Sequence, residues 1–129
     1  MNAWEGLNRR RFPRVNYPCL VKVKQKEDSP GIYLTHTENI GVGGVGIILK
    51  KHIKLYAPVE VEIDLLDLDN PVKCHGKVVW SVLRKNGALK KVAFYDLGVE
   101  FINLPSQDLS RIEGIVKRLA RHDYRVPYV

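Results

Sequence analysis

Short alternations of apolar and polar residues, turn signals between them and one helical stripe near the end predict a mainly β chain of six strands followed by a C-terminal α-helix. Strands spaced this closely fit an antiparallel barrel or a sandwich. After Pro18, the run Cys19-Leu20-Val21-Lys22-Val23-Lys24 alternates over its second half, which is the period of a half-buried strand. Glu27-Asp28-Ser29-Pro30-Gly31 turns the chain, and Ile32-Tyr33-Leu34-Thr35-His36-Thr37 resumes with β-branched and aromatic residues, completing a hairpin. Residues 45–49 are continuously apolar, the mark of a strand buried on both sides. Val59, Val61 and Ile63 alternate with Glu60, Glu62 and Asp64, so the valines and the isoleucine face inward. A turn over 66–71 leads to a long, bent strand at 72–83, with Gly76 as the expected bulge. Asn86-Gly87 signals the hairpin to its partner at 91–101.

Helical spacing appears only at the end. Pro105-Ser106-Gln107-Asp108 supplies turn and cap chemistry, and Leu109, Ile112, Val116 and Leu119 recur along one face. Gly114 weakens that helix by about 1 kcal/mol relative to alanine, so tertiary contacts must hold it. The chain thus divides into an N-terminal segment at 1–18, a β unit at 19–104, a helix at 105–121 and an irregular tail at 122–129, all in one domain.

A chain of 129 residues with 45% hydrophobic and 27% charged content can bury a core without a metal or disulfide staple. Cys19 and Cys74 lie in apolar or β-branched surroundings and read as buried thiols. Residues 1–7 lack a basic segment followed by an apolar run, and no stretch approaches the roughly 20 apolar residues of a membrane span. A cytoplasmic protein with no membrane span is expected. His36, His52, His75 and His122 show no metal-ligand spacing, and no nucleophile has a recognisable base. Neither a catalytic nor a metal-binding residue is assigned, and an enzyme is not expected.

The formal charge of +7 favours an anionic partner, and the local cluster Arg9-Arg10-Arg11-Phe12-Pro13-Arg14 is more telling than the total. Guanidinium groups grip phosphate through paired hydrogen bonds and stack on flat bases. Pro13 disfavours helix at Phe12, so an extended segment would point Arg10 and Arg14 to the same side. A second stretch, Asn39-Ile40-Gly41-Val42-Gly43-Gly44-Val45-Gly46, removes Cβ atoms so that a ligand can approach the backbone and its amides. It is not a dinucleotide fingerprint, because strand pattern follows it, and no Gly-Lys-Ser/Thr closes it as a P-loop. The tyrosines Tyr17, Tyr33, Tyr56 and Tyr95 are scattered, so a base-stacking platform for DNA or RNA is not expected.

Arg9-Arg10 with Arg14, then Asn39-x-Gly41-x-x-Gly44, resembles the paired signature of the PilZ domain, an RxxxR motif followed by Asp or Asn, x, Ser, x, x, Gly. Gly76-x-Val78-Val79-Trp80 and Leu97-Gly98-Val99-Glu100-Phe101 are similar to the family's later strands, so the resemblance spans nearly the whole chain. It implies a six-stranded antiparallel β-barrel with a C-terminal helix that binds the bacterial second messenger cyclic di-GMP, with no other cofactor, and signals through an unidentified downstream protein. It also implies roles. Arg10 and Arg14 would clasp guanine faces and phosphates, Arg9 would favour a stacked ligand dimer, and Asn39 would read a guanine edge. Gly44 closes the motif, Gly43 lies inside it, and Trp80 would pack near a base. Gly41 stands where the family usually has serine. Losing that hydroxyl removes roughly 0.5 to 1.5 kcal/mol, on the order of a 2- to 13-fold loss of affinity. Some members of the family bind no nucleotide, so an interaction module without nucleotide is the alternative.

Overall fold

The structure, a computed structural model, describes residues 14–25, 31–84 and 93–125, with side chains described as far as residue 120. Arg9, Arg10, the turn expected at 27–30, the Asn86-Gly87 hairpin tip and the end of the tail lie outside the described residues. Six strands close into an antiparallel barrel: β1 (Leu20–Gln25), β2 (Ile32–Ile40), β3 (Gly44–Leu49), β4 (Pro58–Asp64), β5 (Val72–Arg84) and β6 (Phe94–Ile102). Around the barrel they run β1-β2-β3-β6-β5-β4. Closure leaves no free sheet edge, so the period-two pattern has one inside and one outside. Val21, Val23, Ile47, Val59, Val61, Ile63, Val78, Leu97 and Val99 fill the inside. The continuous run in β3 has its own cause: Gly44 and Gly46 are covered on the outer side as well.

Two bulges shape the wall. One lies between Thr37 and Asn39 in β2, the other between Val78 and Trp80 in β5. The β5 irregularity therefore falls at Val79 rather than at Gly76, which pairs regularly with Val59 and Phe101. Each extra residue resets the inside and outside alternation, so Asn39 and Trp80 both end up on the outer wall.

The barrel's strand ends sort into two groups. The last residues of β1, β3 and β5 lie at one end, while those of β2 and β4, the entry of the chain and the start of the helix lie at the other. At this second end Val15 bridges to Ile40, with Val15 N donating to Ile40 O at 3.0 Å and Ile40 N donating to Val15 O at 2.9 Å. Thr37, the buried polar residue there, donates its hydroxyl to the Tyr17 carbonyl and accepts from Cys19 N at 3.0 Å. Tyr17 donates to the Leu65 carbonyl at 2.6 Å. The chain entering the barrel is thus fixed on three neighbours from Val15 onward.

Helix α1 (Ser106–Arg125) packs Ile112, Ile115 and Val116 into the core. It continues beyond residue 121 and ends just ahead of the residue preceding Pro127, the position at which proline first disfavours helix. Leu109, expected on the packed stripe, is 38% exposed, and Ile115 takes the buried place instead. Gly114 faces open space, with no heavy atom within 4 Å of where a methyl would stand. Gly114→Ala should therefore stabilise the fold by about 1 kcal/mol and raise Tm by about 3 °C in a thermal melt.

Arg111 ties the helix to the turn after β4. Its Nε and Nη2 donate to the two carboxylate oxygens of Asp67 at 3.0 and 2.8 Å, and Nη1 donates to Asp108 at 3.0 Å. These bonds to Arg111 hold the Asp67 carboxyl below its ordinary range. A depressed carboxylate contributes stability above its unfolded pKa and loses it as pH falls through the folded value. Acidification from about pH 5 downward should thus lower Tm, and Asp67→Asn should flatten that part of the profile. Both cysteines are free; Cys19 is buried and Cys74 is half-buried. Burial, followed by the charge of Asp108, pushes the Cys74 thiol up to about 11, so it stays protonated at neutral pH.

Candidate ligand site at the glycine turn

Between β2 and β3 the chain reverses over Gly41-Val42-Gly43, closed by a hydrogen bond from Gly41 N to Gly44 O at 2.9 Å. That bond occupies the Gly41 amide, so this amide is not the one that meets an anion. Gly43 uses its carbonyl to accept from Phe101 N at 2.9 Å, pinning the turn to the end of β6. Gly44 serves packing: a methyl on it would overlap the Val99 carbonyl of β6.

Arg14 reaches this turn from the chain entry. Its Nη1 donates to Asn39 Oδ1 at 3.4 Å, a long bond that orients the amide and leaves the guanidinium half-exposed. Asn39 stands at the β2 bulge, opposite Gly46 of β3. A methyl on Gly46 would lie 2.9 Å from both polar atoms of the Asn39 amide, so the bare glycine makes room for that side chain. Gly46 pairs with Gly98 of β6, and Gly98 pairs with Trp80 of β5. The pyrrole part of the indole lies over Gly98, where any methyl would collide with it.

Asn39, Gly46, Gly98 and Trp80 therefore form one row across four strands of the outer wall. At a strand spacing of about 4.8 Å the row is about 14 Å long. It has a polar amide at one end, a flat aromatic surface at the other and a low glycine floor between them. One flank carries Glu38, Arg84 and Asp96. Arg84 Nη2 lies 3.1 Å from Glu38 Oε2 and 2.9 Å from Asp96 Oδ1. Burial, then the hydrogen bond and charge of Asp96, raises the Glu38 carboxyl above its ordinary range, with Arg84 opposing.

Along the other flank a cleft of about 590 Å³ runs from Arg14, Gly41, Val42 and Gly43 to Leu104, Leu109 and Glu113. Val79, Glu100 and Phe101 complete its lining. The volume is within the usual range for small-molecule pockets. Here Leu109 has its place: it is exposed because it lines the cleft.

Among the expected site residues, Arg14, Asn39, Gly41 and Gly43 come together around the turn, and Trp80 lies on the same wall. Gly44 is at the back of the turn against β6, while Arg9 and Arg10 are outside the described residues. Gly46 ends the glycine stretch that the sequence already singles out, but the sequence pattern alone does not mark Gly98, Val79, Glu100, Phe101, Leu109 or Glu113 as part of a site. For Gly98 a signal exists, since it interrupts an otherwise apolar strand. The two glutamates carry none.

The family profile of the PilZ domain matches residues 8–118. The chain belongs to the PilZ domain family. Solved PilZ-type structures share its fold at low sequence identity. The Bacillus subtilis inhibitor of motility (MotI/DgrA) superposes with a TM-score of 0.70 at 15% identity, covering 92% of this chain and 54% of that one. The PilZ domain of YcgR from Escherichia coli, solved with c-di-GMP, gives 0.67 at 15% identity over 89% of this chain and 94% of that one. The MrkH–c-di-GMP complex of K. pneumonia gives 0.68 at 19% identity, with 91% and 55% covered. This PilZ chain thus spans about half the length of MotI and MrkH. No curated protein sequence matches it. Among the described residues, no group of ligating side chains could hold a metal ion, and no helix is long and apolar enough to cross a membrane.

Proposed function

We propose that this PilZ domain is a cyclic di-GMP receptor, a binding domain rather than an enzyme. The single observation that carries the reading is the meeting of Arg14 and Asn39 at the edge of a glycine-floored row that ends in Trp80. Cyclic di-GMP offers phosphates and two flat purines. A guanidinium answers the phosphates, an amide answers a purine edge, and the indole and the glycine floor accept a base face. Glu100 and Glu113 repel phosphate but accept from the amino and imino groups of guanine, so the anionic part of the ligand belongs on the Arg14 side.

Arg10 would complete the clasp with Arg14, and Arg9 would decide between one nucleotide and a stacked pair. Ordering the N-terminal segment over the barrel costs conformational entropy, so the interactions it makes with the nucleotide must outweigh that cost. The surface so created would be read by a downstream protein. Neighbours solved with c-di-GMP and the order of motifs along the chain support this reading. Glycine at position 41 leaves the alternative of a module without nucleotide, and the two differ in one assay. With Trp4→Phe in place so that Trp80 is the fluorophore, cyclic di-GMP should change the emission saturably and raise Tm. Unchanged emission together with unchanged Tm at millimolar nucleotide would favour the module without nucleotide.

A further inference from the structure

The connection between β3 and β4, at the barrel end opposite the glycine turn, reads Lys50-Lys51-His52-Ile53-Lys54-Leu55-Tyr56-Ala57 and contains no acidic residue. Lys50, Lys51, His52 and Lys54 are exposed, and among the described residues the three lysines have no carboxylate partner. Leu55 is 44% and Tyr56 64% exposed beside them. Ile53 is fully buried as an anchor, His52 meets the Tyr95 ring edge at 5.1 Å, and Lys50 stands 5.8 Å over Phe94. Tyr56 adopts a φ of 66°, which is unfavourable for an aromatic residue. Its amide donates to Val78 O at 2.7 Å, and Ala57 N donates to Lys54 O at 3.0 Å. The backbone thus holds the exposed pair Leu55 and Tyr56 directly after the lysines. Ile32 and Leu34 are exposed near the same end, on the adjoining wall. At the opposite end Asp67 and Asp108 engage Arg111.

We propose that this end of the barrel docks on an anionic lipid surface. Lysines are compact, strongly hydrated charges suited to a diffuse anionic plane, whereas the bidentate recognition of a folded acidic partner favours arginine. Exposed leucine and tyrosine side chains beside lysines suit the apolar and interfacial layers of a bilayer. Docking at this end leaves the glycine-turn site open, so the surface does not depend on the nucleotide reading.

The test is sedimentation with vesicles of phosphatidylglycerol and phosphatidylcholine in equal parts, compared with vesicles of phosphatidylcholine alone. The chain should sediment with the anionic vesicles at low salt and stay in solution with the neutral ones. Each lysine near an anionic surface is worth about fivefold in association, so K50E/K51E/K54E should weaken binding by about a hundredfold or more. Tyr56→Asn, which tolerates the same backbone, should weaken it by several-fold while Tm is kept. No sedimentation with anionic vesicles, or equal sedimentation of the triple variant, would overturn the proposal. So would retention by double-stranded DNA as strong as by the vesicles, because that would indicate only a general cationic field.

Discussion

Arg14→Ala is expected to lower affinity for cyclic di-GMP by more than about a hundredfold, with little change in the Tm of the free chain. The side chain makes a long bond to Asn39 Oδ1 at 3.4 Å and is half-exposed, so its removal leaves the core intact. In the proposed complex it faces phosphate. A hydrogen bond to a charged group contributes about 1.5 to 3 kcal/mol, and the guanidinium fork makes two in parallel. Losing about 3 kcal/mol corresponds to more than a hundredfold in Kd. Arg14→Lys keeps the charge and loses the fork, so it should fall between the two. Nucleotide titration followed by Trp80 emission checks the series. Equal affinity in all three proteins would remove Arg14 from the site.

Gly44→Ala is expected to be the most destabilising single change in the glycine turn. The added methyl would overlap the Val99 carbonyl, a backbone atom in the β3–β6 ladder that cannot rotate away. Relief requires β3 to shift against β6, which disturbs the Gly46–Gly98 pair and the row above it. Overpacking of a fitted site costs typically about 1 to 3 kcal/mol, and a backbone obstacle is at the upper end. A fall in Tm of about 10 °C follows for a domain of this size. Gly46→Ala should differ in kind. There the obstacle is the mobile Asn39 amide, so nucleotide binding should suffer more than stability. Comparing melts and titrations of the two variants separates the glycine that packs from the glycine that clears the site.

The strands are legible in the sequence because the wall separates a dry inside from a wet outside, and Val59, Val61 and Ile63 record that separation directly. Bulges are not. Val79 and Glu38 are ordinary strand residues, and only the pairing register shows which of them is extra, so sequence points to Gly76 instead. The helical stripe is legible at Ile112 and Val116, which are buried as their spacing predicts. It misleads at Leu109, because a residue lining a cleft has the same apolar character as one facing the core.

At the site, Arg14, Asn39 and the glycine run are visible as residue types that suit a nucleotide. Their individual duties are not visible, because a glycine's use depends on the atom that fills the missing side-chain space: Val99 O at Gly44, Asn39 at Gly46, the indole at Gly98. Those neighbours come from other strands. The carboxylates of Glu100 and Glu113 reach the cleft from β6 and α1, and nothing local in the sequence joins them.

Isothermal titration of the unmodified chain with cyclic di-GMP tests the central claim most directly. Saturable heat, with one or two nucleotides per chain, is the predicted result. Absence of heat at millimolar nucleotide, from a chain whose melt shows it folded, would contradict it.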